Sequence, residues 1–204
     1  MPASYVVAVI DDDDAVRHST AGLLRHAGHR VDAYTDGAEF LASDLSEELG
    51  CILLDMRMPG LDGLAVMRAL RQRGRSSPIL VLTGHGDVPM AVEAMRLGAV
   101  DFLEKPYPAQ DLLQAIGRAL TAGPRTKGAI ADPEAAAKVA TLSQRQQQVL
   151  RGILKGQPNK IIAWELGLSI RTVEAYRAQL LERLGVRGTA EAVRLAIAAG
   201  LLES

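Results

Sequence analysis

Within residues 5–120, five short apolar runs alternate with stretches of helical period, and few folds accept that alternation. The runs are residues 5–10, 31–34, 51–54, 78–82 and 100–103, rich in Val, Ile and Leu. The run 51–54, short and unbroken, suits a strand buried on both faces. Between the runs lie helical patterns over 16–24 (closed by Gly28), 38–45, 61–71, 87–97 and 111–120, with Asp87 placed to cap the fourth and Gly98 to close it. Strict alternation predicts a parallel sheet covered by helices on both sides.

The third run, Cys51 to Leu54, stops at Asp55, and Met58-Pro59-Gly60 then forces a loop. An aspartate at a strand end is by itself most often a turn residue. Here the other strands end in polar groups too: Asp11 to Asp14 after the first, Thr83 after the fourth and Lys105 after the fifth. In a parallel sheet these ends share one edge, so residues distant in sequence converge in one crevice. Carboxylates that converge repel unless a cation joins them, and carboxylates with water suit Mg²⁺, with Mn²⁺ as an alternative. An ammonium and a hydroxyl beside them suit the oxygens of a phosphoryl group. The set describes a carboxylate that accepts a phosphoryl group with metal assistance. Asp13 and Asp14 fit better as first-turn helix residues favoured by the helix dipole than as ligands.

The net charge of −1 conceals two halves. Residues 1–123 hold 11 basic and 17 acidic side chains, a balance of −6, and residues 124–204 hold 12 and 7, a balance of +5. An acidic half followed by a basic half predicts two domains with different partners, nucleic acid being the candidate for the second. Apolar residues make up 48 %, enough for a packed core. With one cysteine, Cys51, no intramolecular disulfide forms, which agrees with a reducing compartment. Neither a signal peptide nor a membrane span is read from the sequence, so a cytoplasmic protein is expected.

The stretches VIDDDDAVR, LLDMRMPGLDG and LTGHGDVPMAVEAMRLGAVDFLEKP, in that order, resemble bacterial response-regulator receiver domains, particularly those of FixJ-like regulators. The resemblance implies a doubly wound five-stranded sheet of order 2-1-3-4-5 over residues 1–121. It implies Asp55 as the phosphoacceptor, Asp12 as a direct Mg²⁺ ligand, Asp11 acting largely through water, and the Arg57 carbonyl completing the metal site. Thr83 would bond the phosphoryl oxygen, Lys105 would pair with it, and Phe102 would be the aromatic switch. The Lys105–Pro106 bond is expected to be cis, which proline makes accessible. A surface carrying Val88, Met90, Val92 and Phe102 would pair two receivers after phosphorylation.

Residues 122–139 contain Gly123, Pro124, Gly128 and Pro133 and read as a linker with a short helix over 134–140. From Leu142 onward the pattern is helical. Ser143 and Gln146 have capping-box spacing. A short helix over 159–166, a Gly167-Leu168-Ser169 turn and a longer helix to Leu184 form a helix-turn-helix, whose second helix can enter the major groove. A last helix covers 189–199.

LSQRQQQVL and GQPNKIIAWELGLSIRTVEAYRAQLLERLGV resemble LuxR-type four-helix DNA-binding domains over 140–204. Carried over by position, the resemblance implies Asn159, Lys160, Arg171, Thr172, Tyr176, Arg177 and Arg187 as candidate phosphate contacts, which would position without specifying. Glu174, Ala175 and Ala178 occupy the base-facing side, where glutamate accepts from cytosine and alanine touches thymine methyls. Gln146, Gln147, Tyr176, Ile161 and Trp164 depart from the usual pattern. Trp164 is expected to fold over its own domain, with an apolar contact to the receiver or a partner subunit as the sharper alternative.

The combined expectation is a phosphorylation-regulated transcription factor of the FixJ/NarL type. Its partners would be a sensor histidine kinase, a double-stranded DNA operator, RNA polymerase and, when phosphorylated, a second copy of itself. It would not be an enzyme beyond self-phosphotransfer and slow self-dephosphorylation. The rivals are a Mg²⁺-dependent phosphohydrolase and a binding module governed by oligomerisation alone.

Overall fold

The computed structural model describes residues 5–43, 49–84, 88–122, 132–186 and 188–201. The chain divides into two compact units, one built on a sheet and one of helices. In the first, β1 (Val6–Ile10), β2 (Arg30–Tyr34), β3 (Leu49–Asp55), β4 (Ile79–Thr83) and β5 (Asp101–Glu104) pair in parallel in the order β2-β1-β3-β4-β5. They alternate with α1 (Asp14–His26), α2 (Gly37–Ala42), α3 (Gly63–Gln72), α4 (Val88–Arg96) and α5 (Ala109–Ala122).

Parallel crossovers are right-handed, so the direction of each step decides which face its helix covers. The step from β1 to β2 runs opposite to the steps from β2 to β3, β3 to β4 and β4 to β5. α1 therefore lies on one face and α2, α3 and α4 on the other. α5 joins α1: Val7, Val9, Cys51, Leu53, Leu80, Leu82 and Leu103 form one core cluster with Leu24 of α1 and Leu112, Ala115 and Ile116 of α5. The alternate residues, Ala8, Ile10, Ile52, Leu54 and Val81, are equally buried and face the other way. Burial on both faces is why β1, β3 and β4 read as unbroken apolar runs, whereas the edge strand β2 is exposed or half-buried throughout and carries Asp32. Cys51 lies inside this core, and burial pushes its thiol up to about 12.

Caps account for the helix starts. Asp13 is the N-cap of α1, its carboxylate accepting from the Ala15 and Val16 amides, so it precedes the helix and only Asp14 is in the first turn. Asp62 accepts from the Ala65 amide and delays α3 to Gly63, two residues past the expected start. α2 ends at Ala42, short of the expected Leu45, where Ser43 turns back to donate to the Phe40 carbonyl. The expected cap Asp87 and the linker residues 123–131 lie outside the described residues.

The second unit contains α6 (Pro133–Ala140), α7 (Gln144–Leu154), α8 (Asn159–Leu166), α9 (Ile170–Leu184) and α10 (Thr189–Ala198). Val149, Leu150, Ile153, Ile162, Val173, Leu180, Leu184, Val193 and Ile197 are buried in it. Ser143 and Gln146 close the capping box at α7. Gly167 ends α8 at a φ of 64°, a left-handed conformation that favours glycine. Ser169 caps α9 by accepting from the Thr172 amide. α6 packs against α10, burying Ala135 and Val139, and the Asp132 amide donates to the Ala198 carbonyl at 2.8 Å.

Candidate functional site

Strand register lines up the polar groups at one edge of the sheet. Ile10 lies level with Leu54, so Asp11 and Asp55 sit side by side as β1 and β3 end. Asp55 is level with Leu82, and Thr83 with Glu104, which puts Lys105 one residue beyond. Side-chain alternation then sorts them. Asp11, Asp55 and Lys105 continue the parity of Val9, Leu53 and Leu103, toward the α1–α5 face. Thr83 and Phe102 have the opposite parity.

Carboxylate oxygens of Asp11, Asp12 and Asp55 lie within 4.8 Å of one another. Asp11 is fully buried, Asp55 nearly so, and Asp12 is exposed. Lys105 Nζ donates to Asp11 Oδ2 at 2.7 Å and to Asp55 Oδ2 at 2.9 Å. Burial works to lower the Lys105 pKa, but its bonds to the two carboxylates together outweigh burial and hold it above the usual value. Burial raises Asp11, and Lys105 offsets only part of that effect. Three clustered oxygen donors, two of them sharing one ammonium, fit a hard divalent cation of Mg²⁺ type. The Arg57 amide lies 3.4 Å from Asp55 Oδ1, which brings the backbone of that residue over the carboxylate. The Lys105–Pro106 peptide is cis.

Thr83 is buried and its hydroxyl donates to the Leu103 carbonyl at 3.3 Å, across to β5 and not toward Asp55. Phe102 is 1 % exposed. Of the residues expected to pair two receivers, Phe102 is buried on β5, Met90 and Val92 lie on α4, and the Val88 side chain lies outside the described set. A surface that includes Phe102 requires its ring to be uncovered first.

Two supports escape a motif reading. Arg17 is buried in α1 and donates from Nη1 to the Asp11 carbonyl at 2.8 Å while pairing with Asp14. It thus holds the backbone that presents the acidic pair. Its i,i+3 spacing from Asp14 is the only sequence signal. Tyr107, two residues after Lys105, makes a 3.0 Å hydroxyl contact with buried Thr20 and ties the β5–α5 connection to α1.

In the second unit Glu174, Ala175 and Ala178 are placed on α9 and all three are exposed, as are Arg171 in its first turn and Lys160 on α8. Tyr176 and Thr172 are half-buried, and the Thr172 hydroxyl lies 2.7 Å from that of Ser169. Arg187 lies outside the described residues. Arg177, expected as a phosphate contact, bonds within its own domain: its Nη1 donates to Asn159 Oδ1 at 2.7 Å and its Nη2 to Thr189 Oγ1 at 2.9 Å. Burial lowers its pKa, against the Glu174 carboxylate. Trp164 is 80 % exposed, which overturns its expected fold-back: Ile162 and Ala163 fill the inward face of α8, leaving Trp164 and Ile161 to point out.

A parallel sheet with an acidic, lysine-bridged edge, followed by a helix-turn-helix unit, defines a receiver joined to a DNA-binding effector. The family model of the response regulator receiver domain matches residues 7–117, and that of bacterial regulatory proteins of the luxR family matches 140–196. The transcriptional regulatory protein FixJ of Azorhizobium caulinodans is 45 % identical, covering 98 % of this chain and 96 % of its own length. The tetrathionate response regulatory protein TtrR of Salmonella typhimurium is 42 % identical over 92 % of this chain and 90 % of its own. The crystal structure of full-length FixJ from B. japonicum, 41 % identical, matches over 98 % of each chain with a TM-score of 0.52. The chain belongs to the FixJ/NarL family of two-component response regulators, and it is a transcription regulator with a LuxR-type DNA-binding domain. Among the described residues no helix is long and apolar enough to cross a membrane.

Proposed function

We propose that Asp55 accepts a phosphoryl group from a sensor histidine kinase and that this promotes receiver pairing and operator binding. The observation that carries the proposal is Lys105 Nζ shared between Asp11 and Asp55 at the edge of the sheet. An ammonium there is placed to balance the charge of a phosphoryl oxygen bonded to Asp55. An Asp55 oxygen forms the new P–O bond as the P–N bond to the donor imidazole breaks, and the imidazole leaves with the bonding pair. Asp11, Asp12, Asp55 and the Arg57 carbonyl would hold Mg²⁺, which when bound supplies positive charge for the transferring oxygens.

Thr83 would turn from the Leu103 carbonyl toward the phosphoryl oxygen. Phe102 shares the Thr83 face of the sheet, so that turn changes its packing space. The added charge would then shift the population toward a receiver surface competent to pair. Pairing raises the effective concentration of the second DNA-binding domain at a two-fold operator. The receiver spans 1–121, and α6 belongs with the effector domain through its packing on α10, which moves that domain's start from residue 140 to about 132. The protein acts in the cytoplasm, where kinase and DNA are both at hand.

Incubation with acetyl phosphate and Mg²⁺ should label the chain, and Asp55→Asn should abolish the label. Stoichiometric labelling of Asp55→Asn would sink the assignment. In vitro selection of duplex DNA, with and without beryllofluoride, then reports the operator and its dependence on the phosphoryl state.

A further inference from the structure

Among the expected phosphate contacts, Arg177 has its guanidinium engaged inside the domain. Both terminal nitrogens are occupied, one with α8 through Asn159 and one with α10 through Thr189, so a single α9 side chain joins three helices. Arginine has donors only, so the Asn159 atom facing it must be the carbonyl oxygen. The Asn159 Nδ2 donors are thereby turned away from the guanidinium. Asn159 is the first residue of α8, a helix whose N-cap is Pro158 and which has no side-chain cap hydrogen bond. Lys160 is its neighbour in the same first turn. An amide with its donors outward, at the positive end of a helix and beside a lysine, suits a DNA phosphate.

We propose that Arg177 is a positioning residue for DNA binding: it holds Asn159 with its amide donors toward the DNA backbone and does not itself neutralise a phosphate. The proposal rests on the DNA-binding reading of this domain. A charge-neutralising contact and a positioning contact separate in the salt dependence of affinity. Each phosphate neutralised contributes about 0.9 to the slope of log K against log salt on duplex DNA. A side chain that acts through a neutral amide changes affinity and leaves the slope alone.

The test uses the full beryllofluoride-treated chain and the duplex recovered by in vitro selection, titrated at several salt concentrations. Lys160→Met should lower the slope by about one. Arg177→Met should weaken binding by about tenfold with the slope unchanged. Asn159→Ala should lose a similar factor, and Asn159→Ala with Arg177→Met together should lose little more than either alone. A slope lowered by about one in Arg177→Met, or losses that multiply in the double variant, would overturn the proposal. Asn159→Asp guards against a folding defect: it gives Arg177 an ion-pair partner but replaces the outward donors with an oxygen. It should melt no lower than the parent and bind at least about tenfold more weakly, and parental affinity would overturn the proposal. Failure of the parent chain to select or bind any duplex would instead overturn the DNA-binding reading, and this proposal with it.

Discussion

At the residue scale the receiver edge is a problem of like charge, and Lys105 is its internal solution. Asp11 is fully buried and Asp55 nearly so, 2.7 and 2.9 Å from one ammonium. Replacing Lys105 with Met removes the offset that restrains Asp11, so its folded pKa rises further. The folded chain then holds more protons than the unfolded chain from the ordinary carboxylate value of 3.8 upward. Where the folded state binds more protons, stability falls as pH rises. Metal-free Lys105→Met should therefore match its parent in acid and be about 1–3 kcal/mol less stable at neutral pH. Mg²⁺ should restore most of the loss. Thermal melts in acid and at neutral pH, with and without Mg²⁺, check this; a loss indifferent to both would contradict it. Asp11, Asp55 and Thr83 were legible in sequence because each directly follows an apolar run, and Lys105 because a single residue separates it from the end of the fifth. Arg17 and Tyr107 were not, because their partners are a backbone carbonyl and a hydroxyl on another element.

At the element scale, close approach between segments sets the tolerances. Gly63 begins α3 against the end of β3: a Cβ there would lie 2.7 Å from the Asp55 carbonyl oxygen and 2.8 Å from Met56 Sδ. Neither the strand backbone nor the buried Met56 can yield without shifting Asp55. Gly63→Ala should destabilise the receiver by about 2 kcal/mol and slow acetyl-phosphate labelling, although the substitution favours helix in isolation. Unfolding curves with a labelling time course decide it. The α6 helix makes the complementary case. A chain beginning at 141 removes Ala135, Val139 and the Asp132 hydrogen bond from α10, and should be about 2–3 kcal/mol less stable than one beginning at 131. Denaturant melts of the two fragments measure the difference. Equal stability would return α6 to the linker.

At the scale of the whole molecule, the acidic half carries the sheet and the basic half the helix-turn-helix. If phosphorylation acts through receiver pairing, beryllofluoride should convert the chain from monomer to dimer in sedimentation, and Asp55→Asn should stay monomeric. Phe102→Ala should weaken pairing and also loosen the receiver, because the ring is buried. Dimerisation unaffected by beryllofluoride would remove pairing from the mechanism while leaving phosphotransfer standing.

Local order was readable from the chain alone. Helix caps act over three or four residues, so the Ser143–Gln146 box, the Ser169 cap and the Gly167 stop lie in the sequence itself. Period and run length disclosed the parallel sheet, and strand ends disclosed which polar groups share its edge. Packing across elements was settled only in three dimensions. The sequence offers Arg177 as a phosphate contact and Trp164 as a side chain folded over its own domain. The fold draws Arg177 between Asn159 and Thr189, which spacing did not disclose, and it turns Trp164 out to solvent, against its expected fold-back. Hydropathy and spacing report which face of one helix is apolar, but not which neighbour already fills the space that face would enter.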